Sequence, residues 1–290
     1  MEPESSLLSI DSESYPEWPK TARIIYYLLY IMLSIKNISV EVDKKMILDT
    51  ISMDFDLGKN YCLIGKNGSG KSSLAMVIMG HPKYQITNWE LRITNWKNES
   101  TTWNMQPATW NIDLKKLNPH ERAKLGIFVA FQHIPEIKGI KLFEFLRSIY
   151  DAQNETTTSF LAFKNIIKPL MDELTINTEF LRRDLNVWFS GGERRKIEIL
   201  QLKLLKPTYI FLDEIDSGLD VDAFKSVVEM MAKLNHEKNS FIIITHIFDI
   251  LKYIPVDHVY VLEQGKIIKE WDQKLIEVIK KEGFIDIEKK

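Results

Sequence analysis

The chain has 290 residues, of which 45% are hydrophobic and 27% are charged, and its formal net charge is −2. This length suits one large domain or two small ones, and the near-neutral charge gives no basic field for nucleic acid or an anionic membrane. The single cysteine, Cys62, excludes an intrachain disulfide and a thiolate cage for zinc or an iron–sulfur cluster.

Residues 1–31 are expected to form an extension outside the fold, so that the folded domain comprises residues 32–290. This stretch is acidic and contains prolines, unlike the basic start of a signal peptide or an Arg-rich transit peptide. Its apolar run, residues 24–33, is too short for a membrane span, which takes about 20 residues. We therefore expect no membrane insertion, and Met32 is an alternative start to Met1.

The remaining chain alternates between strand and helix patterns. A buried strand is predicted directly before Gly65, and a helix at residues 71–79 that is closed by Gly80. Helices are also predicted within 140–186, after residue 190 and at the C-terminus, and a hairpin turns at Gln264 and Gly265. Strands are predicted at residues 33–42, 60–64, 127–131, 208–212 and 241–245. This order indicates an α/β fold whose largely parallel sheet carries its site at the carboxyl ends of the strands.

A decaying seven-residue repeat interrupts this pattern at residues 85–112, with tryptophan at positions 89, 96, 103 and 110. Its Thr, Asn and Trp content favours strands, and Pro107 speaks against a coiled coil. The odd period places successive tryptophans on opposite faces of a continuous strand. Two interpretations stay open: a duplicated hairpin insertion, or a docking surface for a partner.

The stretch from Gly65 to Ser72 fits the P-loop template, because it follows a strand and opens a helix. Its backbone N–H groups and the helix N-terminus favour phosphate. Lys71 is expected to reach the β- and γ-phosphates of ATP, and the Ser72 hydroxyl to bind Mg²⁺. The predicted nucleotide-binding residues here are Gly65, Lys66, Asn67, Gly68, Ser69, Gly70, Lys71, Ser72 and Ser73.

Polar residues at the ends of the other strands complete the predicted chemistry. Asp213 and Glu214 end an apolar strand; Asp213 is expected to hold Mg²⁺, and Glu214 to polarise the attacking water. Gln132 follows another strand and is expected to connect Mg²⁺ or the water to the helical lobe. His246 ends a third strand, where its imidazole could contact the γ-phosphate.

A second phosphate-facing turn precedes the helix after residue 190. Ser190, Gly191 and Gly192 are in themselves typical of an ordinary helix N-terminus. Their position about 20 residues before Asp213 makes them the candidate signature element, and Asp220 is expected to lie at a dimer interface.

These motifs, in this order, resemble the ATP-binding-cassette (ABC) ATPases. The resemblance implies a RecA-like parallel-sheet core, an antiparallel β subdomain and a helical signature subdomain at about residues 133–192. In this architecture the P-loop and the signature of one chain cannot close on the same nucleotide, which implies a transient ATP-dependent homodimer. Many such ATPases stack adenine on an aromatic residue before the P-loop. The corresponding stretch here offers Ile38, Val40 and Val42, so aliphatic contact and modest nucleotide affinity are expected.

Within this group the chain resembles SufC, the ATPase of SUF iron–sulfur cluster assembly. The likeness rests on Gly80-His81-Pro82-Lys83-Tyr84 and above all on Asp213-Glu214-x-Asp216-Ser217-Gly218-Leu219-Asp220. Most transporter ATPases read Glu-Pro-x-Ser-Ala-Leu-Asp at the latter place. The resemblance implies an ATPase that acts on a SufB–SufD-type scaffold. It assigns ATPase roles to Lys71, Ser72, Gln132, Ser190, Gly192, Asp213, Glu214 and His246.

Some residues depart from the SufC pattern, and other functions stay open. Lys66 stands where proline is frequent, and residues 85–112 are longer than the loop of the family. One alternative is the ATP-binding subunit of a membrane transporter, and another is a module that uses ATP only as a dimerisation clamp. A composition rich in Lys, Ile and Asn suggests an AT-rich genome such as an endosymbiont's or a plastid's. The expected location is a bacterial or endosymbiont cytoplasm, with the plastid stroma as the alternative.

Overall fold

The computed structural model describes residues 31–95, 111–235, 238–245 and 248–272. The expected extension up to residue 30, the tryptophan repeat from residue 96 to 110, His246 and the predicted C-terminal helix lie outside these ranges.

The described residues form strands, α-helices and short 3₁₀ helices. The strands are β1 Ile31–Val42, β2 Lys45–Asp56, β3 Tyr61–Ile64, β4 Gln85–Asn95, β5 Asn111–Asp113, β6 Ile127–Ala130, β7 Ile137–Lys141, β8 Asp184–Leu185, β9 Tyr209–Asp213, β10 Ser240–Ile244, β11 His258–Glu263 and β12 Lys266–Asp272. The α-helices are α1 Lys71–Met79, α2 Pro119–Lys124, α3 Leu142–Asn154, α4 Phe160–Glu173, α5 Gly191–Leu205 and α6 Val221–Ala232. The 3₁₀ helices are Leu114–Lys116, Thr178–Arg182 and Phe248–Lys252.

Two sheets position the site. A six-stranded sheet has the order β12-β11-β3-β10-β9-β6, in which β11, β3, β10, β9 and β6 run parallel and β12 pairs antiparallel with β11. A second sheet, β2-β1-β4-β5, is antiparallel. The predicted α/β class with a largely parallel sheet is confirmed. Strands β3 and β9 flank β10, so their carboxyl ends lie at the same edge of the sheet, where the P-loop follows β3 and Asp213 ends β9.

Helix α1 has the bounds predicted from its glycines. Gly70 (φ 109°) and Gly80 (φ 82°) flank it, both with left-handed backbone. The N–H of Gly80 bonds to the Val77 carbonyl, and the N–H of His81 bonds to the Met76 carbonyl, so the chain leaves the helix with its last carbonyls satisfied. The start of α1 thereby lies directly after the loop that β3 feeds.

The hydrophobic core lies on both faces of the parallel sheet. One cluster joins one face of the sheet to α3, α4, α5 and α6, and the other joins the opposite face to α1 and the antiparallel sheet. Every residue of β9 and β10 is buried, as central parallel strands covered on both faces require. Cys62 is fully buried on β3 and packs in the hydrophobic core.

Strands β7 and β8 pair in a small antiparallel sheet. Strand β7 lies at the start of the predicted helical region and β8 lies at its end. This sheet was not predicted, because β7 is short, largely exposed and charged. Asp184 stabilises the pair: its carboxylate accepts from the Gly139 N–H at 3.0 Å and from Lys141 Nζ at 2.7 Å. These two bonds keep the pKa of Asp184 below its ordinary value. Helices α3 and α4, which we call the helical lobe, occupy the predicted segment between these strands.

Candidate functional site

The P-loop follows β3 and turns tightly against its neighbours. Gly65 has a φ of 155°, and a Cβ there would lie 2.0 Å from the carbonyl oxygen of Leu262 on β11. No side chain fits at that distance, so the loop reaches this position only with glycine. The N–H of Gly265 bonds to the Ser69 carbonyl at 3.0 Å, which ties the β11–β12 turn to the loop.

Lys71 and Ser69 supply donors inside the loop. Lys71 Nζ donates to the carbonyls of Gly65 at 2.8 Å and Lys66 at 3.1 Å. Burial lowers the pKa of Lys71, although the charges of Glu214 and Asp213 oppose this shift. Within the described part of the chain, the Ser69 hydroxyl is buried without a hydrogen-bond partner. An orphaned hydroxyl and a buried ammonium group fit an anionic phosphate.

Ser72 and Asp213 lie together at the start of α1 and the end of β9. Ser72 Oγ donates to Asp213 Oδ1 at 2.8 Å, and Asp213 is 2% exposed. Burial raises the pKa of Asp213, and the hydrogen bond from Ser72 opposes that rise. A hydroxyl and a carboxylate are hard oxygen ligands of the kind Mg²⁺ takes alongside phosphates and water. This donor set therefore fits the predicted metal.

Glu214 and Gln132 also meet, although 82 positions separate them in the chain. Gln132 Nε2 donates to Glu214 Oε2 at 2.5 Å. Glu214 has left-handed backbone at φ 45°, and its N–H bonds to the Ile244 carbonyl at 2.9 Å. A non-glycine residue held in this region is strained, and such residues cluster at functional sites. The backbone bond to Ile244 places Glu214 beside the end of β10, and the bond from Gln132 holds its carboxylate there.

A buried ion pair on α5 contacts the backbone at Gln132. Arg195 and Glu198 side chains are 3% and 5% exposed, and Arg195 Nη1 donates to Glu198 Oε2 at 2.7 Å. Arg195 also donates to the carbonyls of Phe131 at 2.8 Å and Gln132 at 3.2 Å. Burial raises the pKa of Glu198 to about 6, against the lowering effect of Arg195. Sequence reasoning missed this pair, because charges three positions apart on a helix usually face solvent.

The signature turn lies against a different part of the chain. Ser190 caps α5 in a capping box with Glu193: Ser190 Oγ accepts from the Glu193 N–H, and the Glu193 carboxylate accepts from the Ser190 N–H. A Cβ on Gly191 would lie 2.7 Å from the Gly218 carbonyl oxygen, and one on Gly192 would lie 3.5 Å from Ala223 Cβ. The tip of α5 therefore lies beside the start of α6.

Asp220 caps α6 next to this tip. Its carboxylate accepts from the Ala223 N–H at 2.8 Å, and the residue is exposed. The structure thus brings Asp220 close to the signature turn. It brings Ser72 and Asp213 together at the P-loop, and Gln132 and Glu214 together beside it.

The expectation that Ile38 and Val40 contact adenine is wrong. Both residues are fully buried in the core of the antiparallel sheet, because β1 changes register between Ile35 and Glu41 and turns them inward. Of the three predicted residues only Val42 is half-buried and accessible. This stretch of β1 therefore gives adenine less contact than predicted.

Comparisons with known proteins place the chain in a family. A family profile described as "ABC transporter" matches residues 48–217. The "Probable ATP-dependent transporter slr0075" of Synechocystis is 39% identical over 87% of this chain and 94% of its own length. The "Iron-sulfur cluster assembly protein SufC" of Plasmodium falciparum is 36% identical over 87% of this chain and 70% of its own length. The chain belongs to the SufC family of ABC ATPases.

Membership of the SufC family makes the chain an ATPase that binds and hydrolyses ATP. Among solved structures, "Dimeric Structure of MJ0796, a Bacterial ABC Transporter Cassette" has a TM-score of 0.65 at 18% identity, over 83% of this chain and 98% of that one. At this identity the likeness concerns the fold, and it confirms the predicted ABC ATPase architecture. Among the described residues, no helix has the length and apolar character needed to span a bilayer.

Proposed function

We propose that two copies of this chain close on ATP, each nucleotide held between the P-loop of one copy and the Ser190 turn of the other. The observation that carries this is the separate surroundings of the two half-sites. Gly65 of the P-loop lies against β11, whereas Gly191 of the signature turn lies against the loop before α6. Each half-site presents phosphate-binding donors, and the second copy completes each one.

Exposed apolar side chains at the signature turn support this dimer. Trp188 is 88% exposed and Val221 is 83% exposed, the two highest fractions among the large apolar side chains of the described ranges. Trp188 lies two residues before Ser190, and Val221 directly follows Asp220. Large apolar groups left in solvent beside a half-site are typical of a surface that another molecule covers.

The chemistry assigned to the closed site is phosphoryl transfer from ATP to water. Ser72 and Asp213 would hold Mg²⁺, which when bound neutralises charge on the phosphates. Lys71 adds positive charge at the β- and γ-phosphates. Glu214 orients and polarises the attacking water, and the 2.5 Å bond from Gln132 fixes its carboxylate. His246 is assigned to the γ-phosphate from its sequence position alone.

The work done by this cycle is the remodelling of a SufB–SufD-type scaffold during iron–sulfur cluster assembly. The name of the Plasmodium relative supports this assignment. An apolar groove of about 350 Å³ between the sheet and the helical lobe supports partner docking; its lining includes Phe128, Phe131, Ile134, Phe145 and Ile149. Phe131 immediately precedes Gln132, so a scaffold segment in this groove would sense the state of the site. The proposed location is a bacterial or endosymbiont cytoplasm or the plastid stroma.

The second candidate is the ATP-binding subunit of a membrane transporter. The name of the Synechocystis relative favours it. The same groove could take a coupling helix from a membrane-spanning partner. The two candidates therefore differ in the partner rather than in the catalytic residues.

Co-purification from the native cell separates the candidates. We expect the tagged chain to retain a SufB/SufD-like pair without detergent, and the purified pair to raise its ATPase rate. Phe145→Glu should abolish both effects because it places a charge in the groove, whereas Leu161→Glu on the exposed face of α4 should abolish neither. Retention of a pair with membrane-spanning helices instead would contradict the scaffold assignment and favour the transporter.

A further inference from the structure

Trp188 is an unusual residue for its place in the monomer. Its side chain is 88% exposed. Its φ is 62°, in the left-handed region that residues with a large side chain rarely adopt. An indole in solvent on a disfavoured backbone gives the isolated chain no packing benefit. The explanation for Trp188 therefore lies in something that binds to it.

The segment that carries Trp188 is firmly anchored. Its neighbours Val187 and Phe189 are 7% and 3% exposed, and the Phe189 ring stacks on Phe180 with centroids 4.7 Å apart. Ser190 then begins α5 with its capping box. The backbone at Trp188 is consequently held at a defined place beside the signature turn, and an aromatic side chain with only two χ angles loses little entropy on binding a flat partner.

The P-loop side of the site offers the base little side-chain contact from β1. The chain offers only aliphatic side chains at the expected adenine stretch, and two of them, Ile38 and Val40, are buried. The P-loop offers Lys71 Nζ and the Ser69 hydroxyl to the phosphates, but β1 gives the base little more than the half-buried Val42. Strand β1 therefore supplies no aromatic platform for the base.

We infer that the Trp188 indole of one copy stacks on the base of the ATP held by the P-loop of the second copy. The inference rests on the proposed dimer. The Trp188 Cα lies within about 7 Å of the Ser190 Cα, so with the Ser190 turn on the γ-phosphate the indole extends the reach of the signature turn along the nucleotide. Stacking on an aromatic face accepts any base, so this contact favours nucleotides over free polyphosphate without selecting adenine.

The test compares ATP-driven dimerisation in a hydrolysis-blocked Glu214→Gln background by analytical ultracentrifugation. Replacing Trp188 by Leu should raise the ATP concentration for half-maximal dimerisation about tenfold, the order expected for one stacked base. Trp188→Phe should stay near the parent because it keeps an aromatic ring. Leu161→Ala, which removes an exposed apolar group from α4, is the matched control and should leave the value unchanged.

A second measurement separates a contact across the dimer from one within a copy. ATP affinity at protein concentrations below dimerisation should not follow the Trp188 series, since the indole acts on the ATP of the other copy. An equal loss in the monomer, or equal dimerisation by the Leu and Phe variants, would overturn the inference while the dimer stands. A Glu214→Gln parent that fails to dimerise with ATP would instead overturn the proposed function itself.

Discussion

Replacing Arg195 by Met tests whether this buried side chain holds the backbone at Gln132 in place. The change removes the 2.7 Å bond to Glu198 and the donors to the Phe131 and Gln132 carbonyls. Removing one member of a buried pair costs about 3–5 kcal/mol, because the other charge stays buried without compensation. Part of this cost returns at neutral pH, because Glu198 takes up a proton once the cation that lowers its pKa is gone. We expect a loss of about 3 kcal/mol in the free energy of unfolding, measured by urea denaturation.

The double variant Arg195→Met/Glu198→Gln separates stability from catalysis. It removes both charges and keeps an acceptor for the backbone N–H of Phe131, which bonds to Glu198, so most of the free energy of unfolding should return. Turnover should stay about 10- to 100-fold low, because the Gln132 backbone has still lost its donor and a small misplacement is costly. Full recovery of kcat in the double variant would show that Arg195 does not position Gln132. A loss below about 1 kcal/mol in the unfolding free energy of the single variant would contradict the cost assigned to leaving Glu198 buried without its partner.

Three further predictions concern the buried ion pair, the metal site and the signature turn. Glu198 binds a proton more tightly in the folded than in the unfolded chain, so its contribution to stability falls by about 2 kcal/mol in total as pH rises from well below 4.5 to well above 6; the difference in unfolding free energy between parent and Glu198→Gln should change by that amount, and a flat difference would contradict it. Ser72→Ala should raise the Mg²⁺ concentration for half-maximal ATPase rate at least about tenfold; an unaltered requirement would exclude Ser72 as a ligand. Gly191→Ala should cost about 1–3 kcal/mol in unfolding free energy, because its Cβ would lie 2.7 Å from the Gly218 carbonyl; a fully stable variant would contradict that packing.

The elements with strong local signals could be predicted from sequence. Helix α1 was predicted with its observed bounds, because glycines with left-handed backbone end it on both sides. The hairpin of β11 and β12 was predicted from Gln264 and Gly265, both of which have positive φ. Long-range pairs such as Ser72 with Asp213 followed from motif order, since the carboxyl ends of all the parallel strands lie at one edge of the sheet.

Features that depend on tertiary packing could not be predicted. The burial of Arg195 and Glu198 depends on how α5 lies against the backbone at Phe131, and a helical pattern of charges does not reveal it. The inward direction of Ile38 and Val40 depends on register shifts in β1, which an alternating pattern does not specify. The exposure of Trp188 likewise follows from the left-handed turn before α5.

The most direct test of the ATP-sandwich dimer is the mass in solution of the Glu214→Gln variant with Mg²⁺ and ATP. The chain has a mass of 33.9 kDa, and the account predicts a species of twice that mass with one ATP bound per chain, which reverts to monomer when ATP is removed. A variant that binds ATP but does not pair with a second copy at high protein concentration, even with its scaffold added, would contradict the ATP-sandwich dimer.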